Sequence, residues 1–187
     1  STLGPAAIAR SFCVFTNQDH RAVAAPYPAP TRPRSRSTAG VLSRAVVDEI
    51  HSIAADNAPL LDQVTSASLL TGDLWTANVL LSADNDEYPE ITGVVDLDRA
   101  EWGDPLADWV IWMARKKPGT ERDSFWSGYG ALAEEDPSVR FRLALYAARH
   151  QAAVRLENAR LADAAGVQDG SQQLAQNAES LRQMAVG

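Results

Sequence analysis

The apolar positions change period along this 187-residue chain. From residue 38 the spacing is helical: Leu42, Val46, Ile50 and Ile53 recur at about 3.6 residues and fall on one face. Ser37 or Thr38 can cap the start, and Asn57-Ala58-Pro59 ends the helix, because the residue before proline avoids the α region. The pattern then breaks into short apolar runs. Ala67 to Leu70 reads as a strand or strand-like entry. Asn78 to Ser82 reads as a second strand and Glu90 to Val95 as its return, with the polar turn Ala83-Asp84-Asn85-Asp86-Glu87 between them. Antiparallel pairing puts the start of one strand beside the end of the other, so Asn78 and Asp96 converge. Asp104-Pro105 opens another helix, with Asp at the cap and Pro in the first turn. Trp109, Val110, Trp112 and Met113 form its apolar face, and Lys116-Lys117-Pro118-Gly119 stops it. Three more helices are predicted near residues 121–132, 137–164 and 170–185. The expected fold class is α+β, mostly helical, with a small embedded β-hairpin.

Residues 1–37 have weak periodicity. Pro26, Pro28, Pro30 and Pro33 alternate with Arg32, Arg34 and Arg36, and no acid occurs between Arg21 and Val47. Repeated prolines favour an extended, unpaired backbone. The expected organisation is an irregular N-terminal arm over 1–37, with a Pro/Arg-rich linker at 21–37, followed by one lobe over 38–187. That lobe divides into a core at 67–117 and a helical subdomain at 120–187. A basic arm offers itself to an anionic partner, but a solvated linker is the favoured reading.

Charge narrows the function classes. Seventeen Lys and Arg against 24 Asp and Glu leave a net charge of −7, which argues against nucleic acid as a partner and leaves room for a cationic substrate. Cys13 is the only cysteine, so no internal disulfide forms and a reducing cytoplasm is expected. No run approaches the ~18 apolar residues of a membrane helix, so no membrane partner is expected. Residues 1–20 lack the order of a signal peptide, with Arg10 interrupting the only apolar stretch.

The candidate chemistry lies between residues 70 and 108. Asp73 and Asn78 are spaced Asp-x-x-x-x-Asn, and an apolar strand then delivers Asp96. Phosphoryl transfer needs alignment and charge neutralisation more than covalent help. One carboxylate can orient a hydroxyl, and an amide oxygen with a second carboxylate can hold Mg²⁺ among phosphates and waters. Asp98 competes with Asp96 as the ligand, but Asp96 ends the strand directly. The bland readings stand beside these. Asp73 is also a turn residue after glycine, Asp104 a helix cap, and Asp108 a structural residue one turn into its helix. Trp75 either stacks on a substrate or packs. Trp102, Trp109 and Trp112 are expected in the core, and Trp126 and Tyr129 either line a cleft or pack. Arg140, Arg142, Arg149 and Arg155 are expected on a polar helix face, in salt bridges with residues such as Glu157. His20, His51 and His150 show no metal-ligand spacing.

Three motifs in order carry a resemblance: Gly72-Asp73-Leu74-Trp75-Thr76-Ala77-Asn78, then Val94-Val95-Asp96, then Gly103-Asp104-Pro105-Leu106-Ala107-Asp108. This segment resembles the catalytic core of the aminoglycoside phosphotransferase family, small-molecule kinases related to choline kinases and protein kinases. That family's pattern is His-Gly-Asp-x-x-x-x-Asn, a hydrophobic strand ending in Asp, then Gly-Asp-Pro-x-x-Asp. The Asp-Leu-Trp wording is also similar to fructosamine kinases, but Gly-Asp-Pro favours the aminoglycoside-type group. The resemblance covers roughly 38–185 and implies a protein-kinase-like C-terminal lobe. It implies Asp73 as catalytic base, Asn78 and Asp96 as metal and nucleotide ligands, and Asp108 as a buttress of the catalytic loop. It implies ATP and Mg²⁺ as cosubstrate and cofactor, and a hydroxyl of an aminoglycoside, sugar or amino alcohol as acceptor. Trp75, Glu101 and Trp126 are candidate acceptor contacts. Glu101, Asp123, Glu134, Glu135 and Asp136 are acids that can meet a cationic acceptor.

Two departures qualify the expectation. Thr71 stands where the family has a structural His, and its reach is shorter. No glycine-rich loop precedes the core, since Gly4 and Gly40 are isolated, and the only lysines are Lys116 and Lys117. The nucleotide-binding lobe is therefore expected to be absent or severely shortened, in a fragment or a truncated product. The rival expectation is a catalytically inactive kinase-like lobe that binds a ligand or a second copy of itself through uncovered apolar surface.

Overall fold

The computed structural model describes residues 44–82, 89–130, 132–133 and 135–185. The expected N-terminal arm, the cap at Ser37 or Thr38, Leu42, the polar turn 83–87, and Glu134 lie outside the described residues. The chain divides into two compact units, with the division inside one long helix between Tyr146 and Ala147.

The first unit, Pro59–Tyr146, holds all the β structure of the described residues. Strands β1 (Ser68–Leu70), β2 (Val79–Leu81), β3 (Ile91–Val94) and β4 (Glu101–Gly103) form two nested antiparallel pairs. The inner pair is the expected hairpin, with Val79 opposite Val94 and an irregularity between Leu80 and Leu81. The outer pair sets Leu69 opposite Trp102 and Leu70 opposite Glu101, and β4 is a strand that alternation did not predict. Nesting has one consequence for chemistry. The segments that leave each outer strand, 71–78 and 95–100, must both run between the two ladders, which places them side by side.

A single 3₁₀ turn, Pro105–Ala107, follows β4, and the α-helix α3 begins only at Val110 and runs to Arg115. Asp104 does cap, as expected: its carboxylate accepts from the Leu106 N–H at 3.1 Å. Helix α4 (Glu121–Tyr129) starts on Thr120 and ends at Gly130, whose φ of 104° needs glycine.

The second unit contains α1 (Arg44–Asp56) and α6 (Ala164–Ala185), with the later part of α5 (Pro137–Arg160). A one-turn helix, α2 (Ala58–Leu61), begins immediately after Asn57, so the proline stop holds for less than a turn. Val47, Ile50 and Ile53 of α1 and Leu174, Ala178 and Leu181 of α6 are buried at helical spacing, and α1 packs on α6. Arg182 ties the two by pairing with Glu49. The break between α5 and α6 is tighter than the predicted gap at 165–169. Ala162, at φ 60°, ends one helix, and Asp163 accepts from the Gly166 N–H at 3.0 Å to start the next. Gly166 and Gly170 lie inside α6. A Cβ on Gly170 would meet Arg155 Cβ at 3.2 Å, so that glycine serves close helix packing.

Three expectations are corrected. Trp102 is 68% exposed and Trp112 45%, so neither is core; among the described residues no second layer covers the Leu69–Trp102 face of the outer ladder. The arginine stripe on α5 is not one polar face. Arg155 is buried, and burial holds its guanidinium below its ordinary pKa. Arg142 turns inward to Asp104, while Glu157 pairs with Arg160.

Candidate active site

The segment after β1 is held by three interlocking contacts. Gly72 takes φ 74°, and a Cβ there would lie 2.4 Å from the Arg99 carbonyl oxygen, so glycine lets the loops 71–78 and 95–100 touch. Thr71 donates its backbone N–H to Asp108 Oδ2 at 3.0 Å and places its hydroxyl 3.0 Å from both Asp108 oxygens. Asn78, buried to 7% exposure, donates its side-chain N–H to the Asp73 carbonyl at 2.8 Å. The five-residue spacing of Asp73 and Asn78 is thus the length of one closed loop, finished by the 3₁₀ turn Thr76–Asn78.

The hairpin supplies the other wall. Val95 donates its N–H to the Asn78 carbonyl at 2.9 Å, one step beyond the Val79–Val94 pair. Asp96 comes next, exposed, at φ 59°. That left-handed turn is uncommon for a residue with a side chain but is well tolerated by Asp, and it swings the chain out of the strand. The convergence of Asn78 and Asp96 expected from the sequence is therefore present in the backbone. Asp73 is half-buried, and Arg99 reaches it with Nη1 3.7 Å from Oδ2.

Behind the loop lies a buried polar network. Asp104 is 4% exposed. Its Oδ2 accepts from Arg142 Nη1 at 2.6 Å and from the Tyr146 hydroxyl at 3.0 Å. Arg142 Nε is also 3.1 Å from the Ser138 hydroxyl. The network anchors the 3₁₀ turn, and the turn carries Asp108 to Thr71. No sequence signal announced Arg142 or Tyr146 as Asp104's partners, because each lies about forty residues further along the chain. Arg99 did leave a signal: it is the only Lys or Arg between Arg44 and Arg115.

The remaining candidates are placed as follows. Trp75 is 54% exposed, and its carbonyl accepts the Asn78 N–H at 2.9 Å, so it belongs to the loop but its ring is free to meet a ligand. Glu101 is half-buried on β4, opposite Leu70. Trp126 sits edge-on to Phe125, with centroids 4.9 Å apart, and to Tyr129 at 5.8 Å; Trp109 closes the cluster 6.2 Å from Phe125. Burial, with the charges of Asp104 and Asp108 behind it, raises the Tyr129 phenol above its ordinary pKa. The aromatic cluster therefore stands within the field of the site's carboxylates.

The donors fit a magnesium ion. The Asn78 nitrogen is committed to the loop, which leaves its oxygen for a cation, and Asp96 adds one carboxylate on the adjoining strand end. Mg²⁺ commonly takes one or two protein oxygens and completes its shell with phosphates and waters. Among the described residues no three His, Cys, Asp or Glu side chains cluster as a self-sufficient metal cage, and such a site needs none.

The loop, the Asn and the strand-end Asp lie together, and the class comes from the family comparison, which is to phosphotransferases. The chain belongs to the phosphotransferase enzyme family APH, whose model matches residues 15–146. The matched stretch begins inside the segment read as an arm and includes all three motifs. No curated protein and no solved structure is significantly similar to the chain. Among the described residues no helix is long and apolar enough to cross a membrane.

Proposed function

We propose that this chain carries the catalytic loop of an ATP-dependent small-molecule kinase, within a protein-kinase-like C-terminal lobe. The observation that carries the reading is the closed Asp73–Asn78 loop set against the Asp96 strand end, braced from behind by Asp108. Asp73 accepts the proton of an acceptor hydroxyl and aligns its oxygen. Asn78 and Asp96 hold Mg²⁺, which neutralises phosphate charge when bound. Asp108 keeps the loop in place through Thr71, in the position where the family uses His. The exposed apolar side chains Val95 and Leu97, which flank Asp96, and Leu80, two residues after Asn78, suit a flat nucleotide base. The acceptor is a hydroxyl-bearing sugar, aminoglycoside or amino alcohol, and the acidic surroundings favour a cationic one.

The test is calorimetric titration of Mg·ATP into the chain, with Asp96→Ala as control, followed by an acceptor screen with Asp73→Asn. The expected result is saturable, metal-dependent binding that Asp96→Ala abolishes. Turnover should fall by about three orders of magnitude or more in Asp73→Asn with binding unchanged. Unchanged turnover would remove Asp73 from its role. The same exposed hairpin face favours a second reading, an inactive lobe that associates with its own copy. A chain that binds no Mg·ATP and sediments as a dimer would establish that reading instead.

A further inference from the structure

We infer that Arg99 is a catalytic cation of this site, one that donates hydrogen bonds to the transferring phosphoryl group. The inference rests on the phosphotransfer reading above. Between residues 45 and 114 the chain carries fourteen carboxylates and one Lys or Arg, and that one lies 3.7 Å from the proposed base. A triphosphate brought to Asp73, Asp96 and Asp98 adds further negative charge to a place already short of cations. Magnesium answers part of that charge. The only protein cation on these two loops to answer the rest is Arg99.

Its mounting suits the task. The Arg99 backbone is pressed against Gly72, where even a methyl group would not fit, so the root of the side chain is fixed beside the catalytic loop. The tip is free: the side chain is 54% exposed, and 3.7 Å is a loose ion pair rather than a hydrogen bond. A pair this exposed contributes little to stability. A fixed root with a movable guanidinium is what an arginine needs to pass from a carboxylate to a developing phosphoryl charge. The reacting phosphorus must lie about 3–3.5 Å from the acceptor oxygen that Asp73 holds, and so close to where Arg99 already rests.

In the step, the acceptor oxygen bonds to the γ-phosphorus. The bond from that phosphorus to the bridging oxygen breaks, and its electron pair leaves with ADP. The hydroxyl proton passes to Asp73. Charge gathers on the three non-bridging oxygens, and Arg99 donates to them there. No residue of the 71–78 loop and no other residue of the 95–100 segment carries a positive charge.

The experiment is calorimetric binding of Mg·ADP to the whole chain with and without fluoroaluminate, a planar anion that occupies the place of the transferring group. The wild type should bind tighter by at least about tenfold when fluoroaluminate is present. Arg99→Gln should keep the Mg·ADP affinity and lose that gain, and Arg99→Lys, which keeps charge but not the planar fork, should recover part of it. A gain that survives in Arg99→Gln would overturn the role of Arg99 and leave the phosphotransfer reading standing. A wild type that binds no Mg·ADP refutes both.

Discussion

Arg142→Met tests whether the site depends on a network that no motif contains. The substitution keeps most of the side chain's length and apolar bulk but removes the cation. It leaves the Asp104 carboxylate, whose side chain is 2% exposed, with two neutral donors: the Tyr146 hydroxyl at 3.0 Å and the Leu106 N–H at 3.1 Å. It also strips the Ser138 hydroxyl of its arginine. Removing one partner of a buried ion pair costs about 3–5 kcal/mol, because the other charge stays buried. For a chain of this length that is about 6–20 °C in Tm, and a fall of about 1–3 M in the urea midpoint. Tyr146→Phe, which deletes one hydrogen bond to a charged acceptor, should cost about 1.5–3 kcal/mol. The double variant Asp104→Asn with Arg142→Met removes both charges and should recover much of the loss. Urea unfolding followed by tryptophan fluorescence and by circular dichroism reads all three. A loss under about 1 kcal/mol in Arg142→Met would show that Asp104 is satisfied without its cation and would refute the argument.

Two further outcomes follow from the same geometry. Thr71→Val deletes the hydroxyl donor to Asp108 but keeps the backbone N–H, and should destabilise by about 1–3 kcal/mol while Thr71→Ser stays near neutral; equal midpoints for Val and Ser in urea would deny the hydroxyl its role. The Tyr129 phenol, raised by burial and then by Asp104 and Asp108, should ionise above the usual tyrosine midpoint of about 10 in a spectrophotometric titration read against Tyr129→Phe. The folded state holds that proton more tightly than the unfolded state does. Its stabilising share is therefore complete below about pH 10 and is lost as pH rises through the folded value, so Tyr129→Phe should flatten the alkaline fall in stability. A normal midpoint for Tyr129 would contradict the placement of the aromatic cluster.

The parts of this molecule that a reader of the sequence can find are those whose cause is local. Val46, Ile50 and Ile53 announce α1 because a helix buries every third or fourth residue, although Val47 is buried and Val46 only half-buried. The β2–β3 hairpin is announced by two apolar runs around a polar turn, and Asp104-Pro105 by cap chemistry. The elements that escaped are the ones decided elsewhere. Strand β4 is three residues long and exists because β1 is there to pair with it, so Glu101-Trp102-Gly103 carries no pattern of its own. Trp102 and Trp112 read as core residues in the sequence, yet burial needs a neighbour, and neighbours are not written in a three-residue window. The expected gap at 165–169 falls too late: the chain breaks at 161–163, and Gly166 and Gly170 sit inside α6 close against Asn158 and Arg155.

The site itself divides the same way. Asp73, Asn78 and Asp96 stand out in the sequence because the proposed chemistry asks for those residue types in that order. What brings them together is not legible there, since it consists of pairings across the nested ladders and across long stretches of chain. The Thr71 substitution shows why this matters. Judged by reach, Thr in place of His predicts a looser loop. In the folded chain Asp108 lies close enough to take the Thr71 hydroxyl and N–H together, because the turn that carries it is anchored by Asp104, Arg142 and Tyr146. A shorter side chain is sufficient when its partner is brought nearer. The change at residue 71 thus has to be judged with the buried network behind Asp108, and a variant of that network should loosen the loop as surely as a variant of Thr71.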